Sequence, residues 1–253
     1  MIKKMNSKDE SPIVNDWELN HAPRLSHYQD IHSGEDCFII GNGPSLNVTD
    51  LTKLNGKYIF GLNKIYLIFN SQQVDLSYIA AINQYVIKQS GQQYCNMNIP
   101  VFLKQNAAIK HNVLGQDIFQ TKMSSHAFHF NKSMAGKFGE GYTVTYYALQ
   151  LAYAMGFQNV FLVGVDHSFK QSGKPNELQK MDGDDPNHFH PEYFKGHEWQ
   201  LADLEASELA YRTAKFYYQR SNRQVFDATI GGKLDVFPKM DFNEATKLCK
   251  SKN

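Results

Sequence analysis

The chain has 253 residues, 26 Lys and Arg against 25 Asp and Glu, a net charge of +1 and 42% hydrophobic residues. That composition belongs to a folded domain with a sizeable core, and its charge balance excludes the basic footprint of a protein that wraps nucleic acid. Cys37, Cys95 and Cys249 are far apart and form no CxxC pair, which argues against a disulfide framework or zinc knuckle and for reduced thiols in the cytoplasm.

The first eight residues carry lysines without a following apolar run, and no stretch is long enough to span a bilayer, so neither a secretory signal nor a membrane helix is expected. Residues 1–20 are polar and expected to be poorly ordered, with Trp17 as a docking point. Residues 24–31 place Leu25, Tyr28 and Ile31 on one helical face. Residues 37–40 are a short apolar run with the composition of a buried parallel strand, and the run stops at Gly41-Asn42-Gly43. Two glycines permit a tight turn and close approach to main-chain N–H groups; Pro44 and Ser45 suit a first helical turn. Gly43 and Ser45 are therefore candidate contacts for an anion such as a nucleotide phosphate. The third glycine of the dinucleotide fingerprint is absent, and an ordinary strand–helix turn is the competing reading.

Residues 47–54 read as a short helix or turn. Strands are expected over 57–62, 76–82 and 100–104, and the apolar stretch 65–69 crosses between the first two of these. Asn42, Asn63 and Asn83 each follow an early strand, at the sheet edge where open α/β proteins bind ligands. An amide both donates and accepts, which suits a base edge or a ribose; asparagines also cap strand–helix turns. Residues 105–140 are hard to assign and suggest a lid or small insert; His111, His126 and His129 there lack metal-ligand spacing. Thr143 or Thr145 caps a helix ending at Gly156. Residues 159–165 form another buried strand, and Asp166 at its end either bonds a ribose, orients a catalytic group or caps the turn. Residues 167–200 are a long polar loop of functional composition. Asp182-x-Asp184 within it imitates an acidic metal-binding pair but does not follow a strand. A helix over 201–219, a strand over 225–228 and a docked segment over 236–242 complete the pattern. Lys247, Lys250 and Lys252 make a basic tail, read as a solvated end in preference to a membrane-surface contact.

The expected architecture is α/β: a Rossmann-like, doubly wound, mostly parallel sheet, with residues 1–34 as an extension, residues 35–253 as one nucleotide-sugar-binding domain, and 105–140 and 167–200 as lid or loop inserts. Gly41-Asn42-Gly43-Pro44-Ser45-Leu46, Asn63, Asn83, Gly164-Val165-Asp166, Asn187-His188-Phe189 and Gly196-His197 occur in an order that resembles the bacterial lipo-oligosaccharide sialyltransferases. The same pattern is similar to a broader family of 6-hydroxymethylpterin diphosphokinase-like proteins and motility-associated-factor flagellin glycosyltransferases. The resemblance covers residues 36–238. It implies an inverting glycosyltransferase that uses a CMP-activated nonulosonic acid as donor substrate and a glycan as acceptor, with no further cofactor and no metal. Asn42 would contact the donor phosphate or sugar, Asn63 and Asn83 the sugar and nucleotide, and Thr143 and Asp166 the cytidine pocket. His197 falls at the general base, with His188 and His190 as competitors. Ser168 and Lys174 stand where the sialyltransferases hold the leaving phosphate with tyrosines, and Val144 replaces an expected serine. Such an enzyme implies a cytoplasmic setting with at most peripheral contact at the inner face of the membrane, and leaves a homo-oligomer open. A pterin diphosphokinase using ATP and magnesium, with Asp182, Asp184 and Asp185 as ligands, is the alternative; a non-catalytic nucleotide-binding module is another.

Overall fold

The strands fall where short apolar, β-branched runs are bounded by glycine, asparagine and proline, and the helices where apolar residues recur at helical spacing. The computed structural model describes residues 17–252. One eight-stranded sheet runs in the order β10-β7-β1-β2-β3-β4-β5-β6. Its members are β1 (Asp36–Ile40), β2 (Tyr58–Leu62), β3 (Tyr78–Ala81), β4 (Val101–Lys104), β5 (Ile118–Met123), β6 (Lys137–Phe138), β7 (Asn159–Val163) and β10 (Gln224–Asp227). All of its pairings are parallel. A separate antiparallel pair, β8 (Leu178–Lys180) with β9 (Glu198–Gln200), lies in the long loop. The fold is a Rossmann-like α/β sheet, as the sequence pattern implies.

Alternate residues of β1 face opposite layers. Cys37 and Ile39 join a core with α1 (Ala22–Ser26), α4 (Val144–Ala154) and α5 (Leu204–Arg220). Phe38 and Ile40 join the other core, with α2 (Gln84–Cys95), α3 (Gln105–Lys110) and α6 (Phe242–Leu248). Both faces are thus covered, as a wholly parallel sheet requires. Helix α4 is the central element of its layer, with Thr145 through Ala154 all buried. Its cap is Thr143, whose Oγ1 accepts from the Thr145 N–H at 3.3 Å.

Three segments differ from expectation. The predicted helix over 24–31 is only α1, because Asp30 adopts φ 54° and the chain turns away. Residues 105–140 supply α3 and the last two strands on one side of the sheet, β5 and β6, so much of that segment extends the sheet. Strand β5 escapes a hydrophobic reading because it runs Ile-Phe-Gln-Thr-Lys-Met; Gln120 and Thr121 are nevertheless buried. Helix α2 was not foreseen, being rich in Gln, Ser and Gly. Trp17 docks as expected: it is buried, and its indole N–H donates to the Gln120 carbonyl at 2.9 Å. The expected disorder of the first residues lies outside the described chain for residues 1–16. No helix among the described residues is long and apolar enough to cross a membrane.

The winding reverses between β1 and β7, which places the crevice of a doubly wound fold at Gly41 and Gly164. The backbones approach closely there: a Cβ on Gly41 would sit 2.3 Å from the Gly164 carbonyl oxygen. Gly41→Ala must push the two strand ends apart. It is expected to destabilise the fold by about 1–3 kcal/mol, the usual cost of overpacking, read from the urea midpoint at unchanged m-value.

Candidate active site

A cavity of about 770 Å³ opens over the carboxyl ends of the strands. Its walls are the turns after β1, β2, β3 and β7, the start of α4, the β4–α3 corner, and residues of the 167–203 segment. That size lies in the upper part of the usual small-molecule range of about 300–1,000 Å³.

The glycine turn itself already holds an anion. Asp166 accepts the Ser45 backbone N–H on Oδ1 at 3.0 Å and the Ser45 hydroxyl on Oδ2 at 2.6 Å. A Cβ on Gly43 would lie 1.9 Å from Asp166 Oδ2, so glycine is what admits the carboxylate. Ser45 is the second residue of a five-residue 3₁₀ turn, Pro44–Val48, and does not line the cavity. Asp166 also lines the cavity, and its carboxylate bonds the turn after β1, 121 residues away in sequence, instead of the turn that follows it.

The three asparagines do line the cavity, with different duties. Asn42 Nδ2 donates to the Leu62 carbonyl at 3.0 Å, which fixes the amide; Oδ1 is buried without a partner among the described residues. Asn63, in a left-handed conformation at φ 48°, also has a buried unpartnered Oδ1. Unpaired buried acceptors are costly and call for a ligand hydroxyl, a ligand N–H or a water. An ionised phosphate has no proton to offer them, so Asn42 Oδ1 suits a sugar or base in preference to a phosphate. Asn83 instead caps α2, accepting from the N–H groups of Tyr85 and Val86 at 2.9 and 3.4 Å, and donates to Gln200 Oε1 at 3.3 Å. Thr143 lines the cavity beside Tyr211, hydroxyl to hydroxyl 3.2 Å.

The 167–203 segment is a folded cover. Phe189, Tyr193, Phe194 and Trp199 are buried in it, and such aromatics supply the apolar area its polar sequence otherwise lacks. Bonds that hold it to the strand ends include the Phe189 N–H to the Asn42 carbonyl at 2.9 Å, the Lys64 N–H to the Tyr193 hydroxyl at 3.2 Å and Lys64 Nζ to the Tyr193 carbonyl at 2.6 Å. Burial pulls the Lys64 amine down to about 8, so it remains mostly an ammonium at neutral pH. The cover carries His188, which lines the cavity. Its Nδ1 sits 2.7 Å from Oδ2 of Asp185, a carboxylate with no exposed side-chain surface, and its ring stacks on Tyr193 at 4.0 Å. Asp185 thereby fixes the ring's tautomer and leaves Nε2 as the nitrogen able to meet a substrate.

The other candidates fall elsewhere. His197 is exposed and is not a lining residue; burial and the nearby Lys64 ammonium lower its pKa. His190 Nδ1 accepts the Glu192 N–H at 3.2 Å, outside the lining. Ser168 lines the cavity, whereas Lys174 is exposed and does not. The acidic run does not converge: Asp184 pairs with Lys195 at 2.9 Å, Asp182 is 87% exposed, and Asp185 faces inward to His188. Among the described residues no three His, Cys, Asp or Glu are grouped to hold a metal ion. Sequence reasoning did not single out Lys104, Lys110, Glu140 or Tyr211, which also line the cavity. Lys104 had a usable signal, as the last residue of a parallel strand.

Removing the Asp166 carboxylate leaves the Ser45 N–H and hydroxyl without their acceptor. Asp166→Ala is expected to cost about 1–3 kcal/mol in urea unfolding, and Asp166→Asn, which keeps one amide oxygen, less.

Comparison with known proteins gives the same fold. No curated protein matches the sequence. The MAf glycosyltransferase from Magnetospirillum magneticum AMB-1 aligns with a TM-score of 0.54 at 14% identity, over 90% of this chain and 38% of that one. The chain therefore spans well under half of that protein. The sialyltransferase CstII from Campylobacter jejuni, solved in complex with a substrate analogue, cytidine-5'-monophosphate, aligns with a TM-score of 0.47 at 12% identity, over 82% of this chain and 85% of that one. A model of the family described as 6-hydroxymethylpterin diphosphokinase MptE-like matches residues 15–172, more than half of the sequence, and the chain belongs to that family.

Proposed function

We propose that the chain is a glycosyltransferase that moves a nonulosonic, sialic-type acid from a CMP-activated donor to a hydroxyl of a surface-glycan acceptor, at the cytoplasmic face of the membrane. The observation that carries this reading is His188, lining the cavity with Nδ1 bonded to the buried Asp185. A sugar hydroxyl is a poor nucleophile near neutral pH. An imidazole held in one tautomer takes its proton as attack proceeds, a contribution of roughly 10²–10⁴-fold. The new bond joins the acceptor oxygen to the anomeric carbon, the bond to the phosphate oxygen breaks on the opposite face, and cytidine monophosphate leaves with the electron pair. The unpartnered oxygens of Asn42 and Asn63 suit the hydroxyls of such a donor. The motif order shared with the sialyltransferases and the fold shared with a glycosyltransferase support the same class. His188, which lines the cavity, is a better candidate for the base than the exposed His197.

The family's description favours a second reading, a pterin diphosphokinase using ATP and magnesium. Thermal shift separates the two. Ligand at 100 times its Kd stabilises by about 2.7 kcal/mol, so selective stabilisation by CMP or CDP supports the transferase and by ATP with magnesium the kinase.

His188→Ala is expected to lower transfer and donor hydrolysis by about 10²–10⁴-fold while CMP binding persists; His197→Ala should leave both within a few-fold. Unchanged turnover in the His188 variant would remove the proposed base, whereas CMP binding with no turnover in the wild type would favour a non-catalytic nucleotide-binding role.

A further inference from the structure

The cavity is chemically polarised. At β1 and β2 its wall presents the unpartnered acceptors of Asn42 and Asn63. At the β4–α3 corner it presents Lys104, Asn106 and Lys110, and just after β5 Ser124 and Ser125. The two ends are two to three strand positions apart, about 10–14 Å at the usual spacing between strands.

The cations at the second end are incompletely matched. Lys104 closes β4, and its Nζ lies 2.6 Å from Glu140 Oε1. That pair is partly exposed, at 28% and 38%, so it is screened and weakly held. Lys110 ends α3 and donates to a neutral acceptor, Gln84 Oε1, at 3.1 Å; it has no ion-pair partner among the described residues. Of these two ammoniums, only Lys104 has a carboxylate partner among the described residues. Meanwhile the glycine turn, the usual phosphate seat of such a fold, is filled by Asp166.

We propose that the β4–α3 corner is an oxyanion subsite in which Lys104 and Lys110 hold a phosphate or carboxylate of the substrate. This rests on the transferase reading only for which substrate carries the group. An anionic end and a hydroxyl-bearing end about 10–14 Å apart describe an extended molecule, such as a nucleotide sugar or an acidic glycan, and not a small neutral metabolite. Ammoniums make charge-assisted hydrogen bonds to either oxyanion, and neither bond depends on a metal.

Calorimetry on the full chain tests it, with wild type, the double variant Lys104→Met/Lys110→Met, and the single Lys110→Gln, which leaves the Lys104–Glu140 pair intact. The probes are inorganic phosphate, CMP, N-acetylneuraminate and, as a neutral control, cytidine. The double variant should lose about ten-fold or more in affinity for an anionic probe, the worth of a charge-assisted hydrogen bond, while cytidine binding is unchanged. Lys110→Gln should lose part of it, and the wild-type affinity should fall with added salt more steeply than the variant's. Loss confined to phosphate and CMP assigns the group to the nucleotide; loss confined to N-acetylneuraminate assigns it to a sugar carboxylate. The subsite is overturned if wild type binds none of the three anions, if no anion weakens in the double variant, or if cytidine weakens equally. Wild-type failure to bind cytidine or CMP sinks the nucleotide reading instead, and the phosphate and N-acetylneuraminate results then still decide the subsite.

Discussion

Two aspartates join β1 to β7, and the rest of the molecule is arranged about that seam. At the amino end, Asp36 accepts from the Asn159 backbone and side chain at 3.2 and 2.8 Å, and its second oxygen takes the Lys250 N–H at 3.1 Å. At the carboxyl end, Asp166 takes the N–H and hydroxyl of Ser45. Both carboxylates satisfy backbone donors that would otherwise be stranded where strands meet loops. The glycines at Gly41 and Gly43 are the counterpart of this arrangement, since each stands where a side chain would strike the opposite loop. A turn that serves many proteins as a phosphate cradle is here an internal joint.

That joint changes where charge can be accommodated. With the crevice occupied by the protein's own carboxylate, the cavity's cations lie toward β4 and its unsatisfied acceptors toward β1 and β2. The cover over 167–203 adds the titratable group, and its placement follows from packing. Buried aromatics give the segment a small core of its own, Lys64 ties it to the end of β2, and the His188 ring lies flat on Tyr193. An imidazole stacked on one side and bonded through Nδ1 has little freedom left, which is what a proton acceptor needs.

The legible parts were those in which a single physical requirement dominates. Parallel strands buried on both faces must be largely apolar, so β1, β2, β3, β4 and β7 stand out, and α4 stands out for the same reason. The edge relaxes that demand, which hides the two-residue β6, and β5 beside it is masked by its central Gln-Thr-Lys. Asn42, Asn63 and Asn83 line one cavity because strand ends converge in this fold. Their separate duties were not readable, because capping, lining and bracing call for the same amide. Asp185 was hidden by its neighbours: in sequence it belongs to an acidic run, and only the fold turns it inward toward His188 while Asp182 and Asp184 face solvent. Lys104 and Lys110 come together at the cavity through a six-residue helix in a stretch with no apolar pattern to announce it.

The seam also sets an order of events. β1 can pair with β2 after some twenty intervening residues, but Asp166 lies 121 residues beyond Ser45. Contacts this distant in sequence form late, because a long loop must close before they return any stabilisation. During synthesis the β1–β4 half exists for some time with its glycine turn open and its donors exposed to water. The cavity therefore has no finished floor until β7 has added beside β1, and a cover that is folded from residues after β7 cannot close on a half-built sheet. Assembly of the site and completion of the sheet are one step.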